Sequence, residues 1–426
     1  MTMKKIEFEN SLKLMKISLL FSGIKISNTK FCKSIEIFLS SYLYYFNFIW
    51  LYMDVFGEIN WLIDGILEGK SFIDLSITAP CITVSMLATS KSIFIYLNRD
   101  IAIKTVEKLR EIHPESNDDD IDEKYDSINV NDAADNDILD FVDSTDNKKR
   151  NVEADILKES VKFLNFVVLL LYYICLVVII AFPLMPVTSM AYEYYKTGTT
   201  ECKYPYLVKY FFDAYTTAMW PAVYFHHVIS TAIVGASVFG SDSLFYAACI
   251  YIQMHFRLLC HRFENIVRES DEETRRELVS AVRRHQELID LVDQVEMLYS
   301  KSTLFNIVTS SFLICLSGFI ITVLDDISIV VTFATFLFMN LSQISLLCFF
   351  GDMLMRSSTQ ISSAVYHSFW YEADPKIKRS LLLILMRAQK PCKLTACNFA
   401  DLNLTAFTTI LSRSWSYFAL LKTMYK

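Results

Sequence analysis

An all-α membrane protein, with seven transmembrane helices, a cytosolic N-terminus, an extracellular C-terminus and a helical bundle on the cytosolic side, is what this sequence predicts. Three observations carry that expectation. Of the 426 residues, 53% are hydrophobic and 14% aromatic, too apolar for a soluble globular protein of this size. The apolar residues gather into runs long enough to cross a bilayer, which takes about 20 residues. Lysine and arginine are distributed unevenly between those runs, and their bias sets orientation.

The runs lie at 35–57, 72–98, 161–190, 219–254, 302–324, 327–353 and 397–424. An odd number of crossings puts the termini on opposite sides. Basic residues crowd the N-terminus and the segments 99–162, 257–301 and 356–393, whereas 58–71 and 191–215 carry few and the Asp325-Asp326 connection none. The N-terminus is therefore expected inside.

The first 34 residues read as a cytosolic segment. Lys4, Lys5, Lys13, Lys16 and Lys25 surround an amphipathic stretch with no distinct apolar core and cleavage site, so removal of a leader is not expected. Spans 1 to 4 fill 35–256 and enclose an acidic stretch, 113–148, that runs from Glu115 through Asp118-Asp119-Asp120 to Asp146. Low hydrophobicity and like charge predict a disordered cytosolic loop there. It lacks the glycine and closing glutamate of an EF-hand.

Residues 257–301 are charged but keep Leu278, Val282, Ile289, Val292 and Val295 to Leu298 at near-heptad spacing, which predicts helices below the membrane. Spans 5 and 6 fill 302–353. Within 354–396, Leu381 to Met386 is apolar on every face and too short to span, so burial against protein is expected. These pieces predict a cytosolic bundle extending from spans 4, 5 and 6, with an oligomer interface at its centre or closed within one subunit.

The last segment, 397–426, contains span 7. At 100° per residue, Thr405, Thr409, Ser412 and Ser416 fall within an arc of about 60°. Leu420 continues this stripe and Met424 sits at its edge. Such hydroxyls either face water at the centre of several copies, with the apolar residues closing the conduit by dewetting, or pack against another helix. Arg413 beside them must pair, snorkel or meet water.

Enzyme chemistry has little to stand on. The sequence holds no Gly-rich phosphate loop, no Gly-x-Ser-x-Gly elbow and no His-Glu-x-x-His motif, so no catalytic residues, cofactor or nucleic-acid partner are expected. Its ten cysteines are scattered singly, Cys81, Cys175, Cys249, Cys315 and Cys348 inside apolar runs. His226 and His227 lie about two turns into span 4. Adjacent helical residues point about 100° apart, so a shared metal is not expected, and one of the two is expected to face a cavity. The sequons at Asn340 and Asn403 fall within spans 6 and 7, out of reach of glycosylation.

Gly351-Asp352, Ser357, Tyr366, Trp370-Tyr371, Arg387-Ala388-Gln389-Lys390-Pro391, Leu394-Thr395-Ala396, Phe407 and Ser416-Tyr417-Phe418, in this order, resemble the C-terminal signature of insect odorant receptors. Gly240 and Asp242 through Leu259 to Arg262-Phe263 resemble the family's fourth span, and His285 to Ile289 the helix after it. The likeness covers 205–424 clearly and the first half through topology alone. It implies a subunit of a tetrameric ligand-gated cation channel in the plasma membrane of olfactory neuron dendrites. A shared co-receptor subunit would be its partner and a small volatile or hydrophobic molecule its ligand. Under that resemblance Leu381 to Met386 belong to the anchor that holds the tetramer, the hydroxyl stripe faces the pore, and Leu420 and Met424 are the gate. Odorant-pocket candidates are Phe72, Ser76, Phe182, Met185, Tyr224, His227, Thr231, Thr332 and Phe336. The co-receptor's long insertion between spans 4 and 5 is absent, which implies a ligand-tuning subunit. The acidic loop is longer than the family leads one to expect. A gustatory-type receptor of the same superfamily and a seven-helix G-protein-coupled receptor are the alternatives. The latter requires the opposite orientation and its Asp-Arg-Tyr and Asn-Pro-x-x-Tyr motifs are missing.

Overall fold

The computed structural model describes residues 8–26, 33–113, 136–268, 270–324 and 327–425. Lys4, Lys5, Asp325-Asp326 and the 114–135 part of the acidic stretch lie outside them. Helix α1 spans Lys13–Phe21, α2 Lys33–Leu67, α3 Phe72–Ser76, α4 Ala79–Leu97 and α5 Arg99–Glu111. Four long helices follow: α6 Asn136–Thr197, α7 Trp220–Glu264, α8 Asp271–Val323 and α9 Ile327–His367. The chain closes with α10 Pro375–Ala388, a hairpin of β1 Thr395–Ala396 and β2 Ala400–Asp401, and α11 Leu404–Tyr425.

Each apolar run falls mainly on helix, the second divided between α3 and α4 and the seventh helical only from Leu404. Among the described residues, five helical segments are long and apolar enough to cross a membrane: Phe72–Leu97, Asn151–Thr197 and the helices α7, α8 and α9. The other two runs fall on α2 and α11. Tyrosines, Asp54 and Glu58 dilute the hydropathy of α2, and hydroxyls, Arg413 and Lys422 that of α11.

Two expectations need correction. Residues 136–148, expected to be part of a disordered loop, form the start of α6. Ile138, Leu139, Phe141 and Val142 interrupt the acids, acidic side chains suit a helix N-terminus, and extending an existing helix costs far less than nucleating one. Span 7 does not begin at 397. Cys397 and Asn398 adopt φ of 52° and 58°, closing a turn in which Phe399 N–H donates to the Ala396 carbonyl. The helix starts only after Asn403, whose side-chain oxygen accepts from Ala406 N–H at 2.8 Å as an N-cap.

The bundle has two ends: a base, where α10 packs against α9 and the N-terminal part of α8, and a crown, where α6 ends and α7 begins. Helix α7 is the central column, with 78% of its most apolar window buried. Midway, Lys91 Nζ of α4 lies 2.5 Å from Asp242 Oδ1 of α7, and Gln343 Nε2 of α9 donates to Asp242 Oδ2 at 2.7 Å. A charge buried between apolar helices persists only when paired in this way. Gly240 on α7 lets Leu19 of α1 approach its backbone, which explains a glycine at that point.

At the base, α8 buries Leu278, Val292, Val295 and Leu298 of the predicted face together with Leu288 and Leu291, while Val282 and Ile289 are half-buried and Met297 is exposed. Helix α10 buries Leu381 and Ile384, but Leu382, Leu383 and Met386 are 55%, 67% and 61% exposed. Its all-round apolar sequence is thus covered on one side only within the subunit. The hairpin before α11 is fixed to α8: Glu296 accepts from Thr395 N–H at 2.6 Å and from the Thr395 hydroxyl, and Cys397 N–H donates to Ser300 Oγ at 2.8 Å. On its other side Leu402 lies so close to Gly351 of α9 that any Cβ there would collide with the Leu402 carbonyl.

Candidate functional site

The two prolines of α6, Pro183 and Pro186, lack the N–H groups that an unbroken helix would aim at earlier carbonyls. Around this weakened stretch the structure gathers most of the candidate pocket residues. The Phe182 ring meets Phe336 of α9 edge-on at 6.2 Å and stacks at 6.3 Å on Tyr206, from the segment joining α6 to α7. Thr332 Oγ1 lies 3.7 Å from Met185 Sδ. The Tyr224 hydroxyl of α7 donates to the Pro183 carbonyl. Phe182, Met185, Tyr224, Thr332 and Phe336 therefore converge at the crown between α6, α7 and α9.

The remaining candidates stand apart. Phe72 and Ser76 belong to α3, where Phe72 meets Phe319 of α8 at 5.9 Å and the buried Ser76 hydroxyl returns to the Phe72 carbonyl. Thr231 donates to the His227 carbonyl one turn back on α7. His227 is fully buried, stacked at 4.2 Å on Tyr206, with its Nε2 3.0 Å from the Tyr210 hydroxyl.

His227 belongs to a polar cluster that sequence reading did not assemble. Asp54 of α2, 2% exposed, accepts from the Tyr206 and Tyr210 hydroxyls at 3.0 Å each. Its Oδ1 lies 3.0 Å from His226 Nδ1 and 3.8 Å from His227 Nε2. The histidines were expected to point apart, yet both reach one carboxylate, because His226 presents its near nitrogen and His227 its far one. Burial and the Asp54 charge raise both tyrosine hydroxyls far above their ordinary range, so they remain neutral donors. The signal that could have found this cluster is Asp54 with Glu58 one helical turn on, two acids at the end of an apolar run.

On α11 the stripe is turned away from the subunit. Thr405, Thr409, Ser412, Ser416, Leu420 and Met424 are all exposed, whereas Ile410 and Ser414 are buried and Phe418 and Leu421 pack against the cluster of Phe319 and Ile320 of α8 with Phe333 of α9. Thr409 and Ser416 return their hydroxyls to helix carbonyls one turn back, which leaves those two satisfied without any partner helix. Arg413 is exposed beside it.

Comparison with known proteins is consistent across sequence and structure. The family model described as 7tm Odorant receptor matches residues 136–414. The Drosophila melanogaster relative carrying the odorant receptor 92a name is 26% identical over 377 residues, 87% of this chain and 84% of its own length. Odorant receptor 85b of the same fly is 34% identical over 191 residues, 45% of this chain and 49% of that one. The structure of the insect olfactory receptor OR5 from Machilis hrabei in complex with eugenol superposes with a TM-score of 0.77 at 16% identity, covering 99% of this chain and all of that one.

Proposed function

The chain belongs to the 7tm odorant receptor family of insects, and on that premise we propose that it is the odorant-binding subunit of a heteromeric ligand-gated cation channel in the plasma membrane of olfactory neurons. In this reading all seven helical runs cross the bilayer, the N-terminus is cytosolic, the base of the bundle lies in the cytosol and the crown faces outward. The basic-residue asymmetry supports that orientation. A co-receptor subunit completes the channel.

The observation that carries the channel reading is the outward stripe of α11. Six residues that an isolated subunit leaves exposed, hydroxyls first and Leu420 and Met424 after them, suit a helix lining a water-filled axis between subunits and closing it with an apolar ring. The exposed Leu382, Leu383 and Met386 of α10 suit an interface at the base, where the same subunits would hold together. Phe182, Met185, Tyr224, Thr332 and Phe336 offer an apolar wall with a hydroxyl or two, the chemistry a small volatile ligand requires. Phe72, Ser76 and Thr231 would shape its margins, and His227 would support it from behind through Tyr206. Eugenol is the ligand in the OR5 structure and supports a small aromatic odorant as a first probe.

The test is expression with a co-receptor in cells that lack odorant receptors, recording current across a panel of volatiles. Ligand-evoked cation current that requires both subunits is the expected result. An epitope after Lys426 should be reachable by antibody on intact cells and one before Met1 should not. The reverse pattern would favour the G-protein-coupled alternative.

A further inference from the structure

The cluster at Asp54 contains more buried carboxyl oxygens than its hydrogen bonds satisfy. Glu58, one turn along α2, is 1% exposed and neither of its carboxylate oxygens has a hydrogen-bond partner among the described residues. No lysine or arginine of the described residues is paired with Asp54 or Glu58. Two carboxyl groups are thus buried side by side, one among tyrosine hydroxyls and imidazoles, the other without a hydrogen bond among the described residues, an arrangement that a cation would relieve. The imidazoles are underused as well. His226 Nδ1 lies 3.0 Å from Asp54 but is not aligned for a hydrogen bond, and His226 Nε2 and His227 Nδ1 have no partner either.

These groups share a geometry. One ligand atom from each of Asp54, His226 and His227 lies within 4.8 Å of the others. Zinc bonds of about 2.0–2.1 Å in a tetrahedron separate neighbouring donors by roughly 3.3–3.4 Å. The Asp54 separations of 3.0 and 3.8 Å bracket that edge, and the imidazole nitrogens, within 4.8 Å of each other, close to it by rotation of the two histidine side chains. We propose that Asp54, His226 and His227 form a binding site for a divalent transition-metal ion of the zinc or copper type, joining α2 to α7 at the crown. Two imidazoles and one carboxylate select such ions over magnesium and calcium, which prefer oxygen donors. Glu58 balances the remaining positive charge. Tyr210, whose hydroxyl stands 3.0 Å from both Asp54 Oδ1 and His227 Nε2, yields its place between them and keeps its hydrogen bond to the carboxylate. The fourth position is left to water or a ligand atom.

The experiment uses the full chain without a polyhistidine tag, purified in detergent, stripped with chelator and titrated with Zn2+ by calorimetry and thermal unfolding. Cobalt absorption serves as a coordination readout. The expected result is one saturable equivalent with a raised Tm, tetrahedral cobalt bands, and no such response to Mg2+ or Ca2+. Asp54→Asn and the double variant His226→Gln/His227→Gln should lose the site, Glu58→Gln should weaken it roughly tenfold to a hundredfold, and His261→Gln should leave it unchanged. Should the Asp54 or double-histidine variants fail to fold, Tyr210→Phe decides. It keeps all three donors and removes the competing hydroxyl, so it should bind Zn2+ at least as tightly. No saturable binding by the wild-type chain, undiminished binding by the double-histidine variant, or loss of binding in Tyr210→Phe would overturn the proposal.

Discussion

The two ends of the bundle are built differently. Helix α7 has 78% of its most apolar window buried and α8 half of its own, whereas α6 and α9 each bury only 17%. At the base, fully buried side chains such as Leu288, Leu291, Val295, Phe256 and Phe263 interlock. At the crown, single ring contacts of 4 to 6 Å and isolated hydroxyl bonds connect α6, α7 and α9 across proline-bearing helix and loop. Close packing makes a base that resists deformation. Scattered contacts, each worth about a kcal/mol or less, make a crown that a small ligand can rearrange.

Substitutions can break or sharpen this contrast. The largest effect is expected where the two ends join: Asp242→Ala strands Lys91, 4% exposed, without its partner and should cost about 3–5 kcal/mol. Purified protein should show a collapsed Tm and surface expression should disappear. A near-normal Tm would mean that Gln343 and the helix packing alone hold the centre.

Next in size is assembly at the base. Leu383→Lys places a charge on the exposed face of α10, so the subunit should still fold, with a stability change within about 0.5 kcal/mol. Recovery with the co-receptor should fall at least tenfold. Intact co-purification would restrict the contacts of α10 to its own subunit.

A smaller but more discriminating pair of changes separates the proposed pore from the proposed pocket. Leu420→Ser should wet the apolar ring and raise ligand-independent current severalfold at matched surface expression, with potency shifting only through the closed-open balance. Phe336→Ala should do the opposite, changing potency differently for different ligands while leaving basal current alone. If both variants behave alike, crown and pore are not separate devices.

The smallest expected effect near neutral pH is a pH dependence of the base. Burial, with Arg387 nearby adding to it, lowers His285 from the usual histidine value to about 4. The folded base therefore holds a neutral imidazole, and its contribution is complete above about pH 6.5. It is lost progressively as pH falls towards 4, where the unfolded chain already binds the proton. Tm should decline over that window, and His285→Gln should flatten the decline.

Much of this architecture was legible in the sequence, because hydropathy runs and helical spacing are local signals. Most of each apolar run is helical, part of the near-heptad face of α8 is buried, and the stripe on α11 lies along one exposed face. The candidate pocket residues stand only partly together: Phe182 meets Phe336 and Thr332 meets Met185, while Phe72 packs on Phe319 of α8. The hairpin before α11 was misread because Cys397 and Asn398 lie in an apolar run and only the capping Asn403 marks the true start. The Asp54 cluster escaped for a different reason. Its members come from positions 54, 206, 210, 226 and 227, and no periodicity links segments that meet only in three dimensions.

The attachment of the hairpin to α8 gives α11 the mechanics of a hinged lever. Glu296 and Ser300 grip Thr395 and Cys397 mainly through backbone N–H groups, so the pivot tolerates exchange of most side chains around it. From there α11 extends 22 residues, about 33 Å at 1.5 Å per residue. A tilt of about 5° at the pivot would sweep the far end by roughly 3 Å, about the diameter of one water molecule, and Leu420, about 24 Å along, by roughly 2 Å. A displacement too slight to disturb the packing at the fulcrum is thus magnified at the tip to the width of a single file of water.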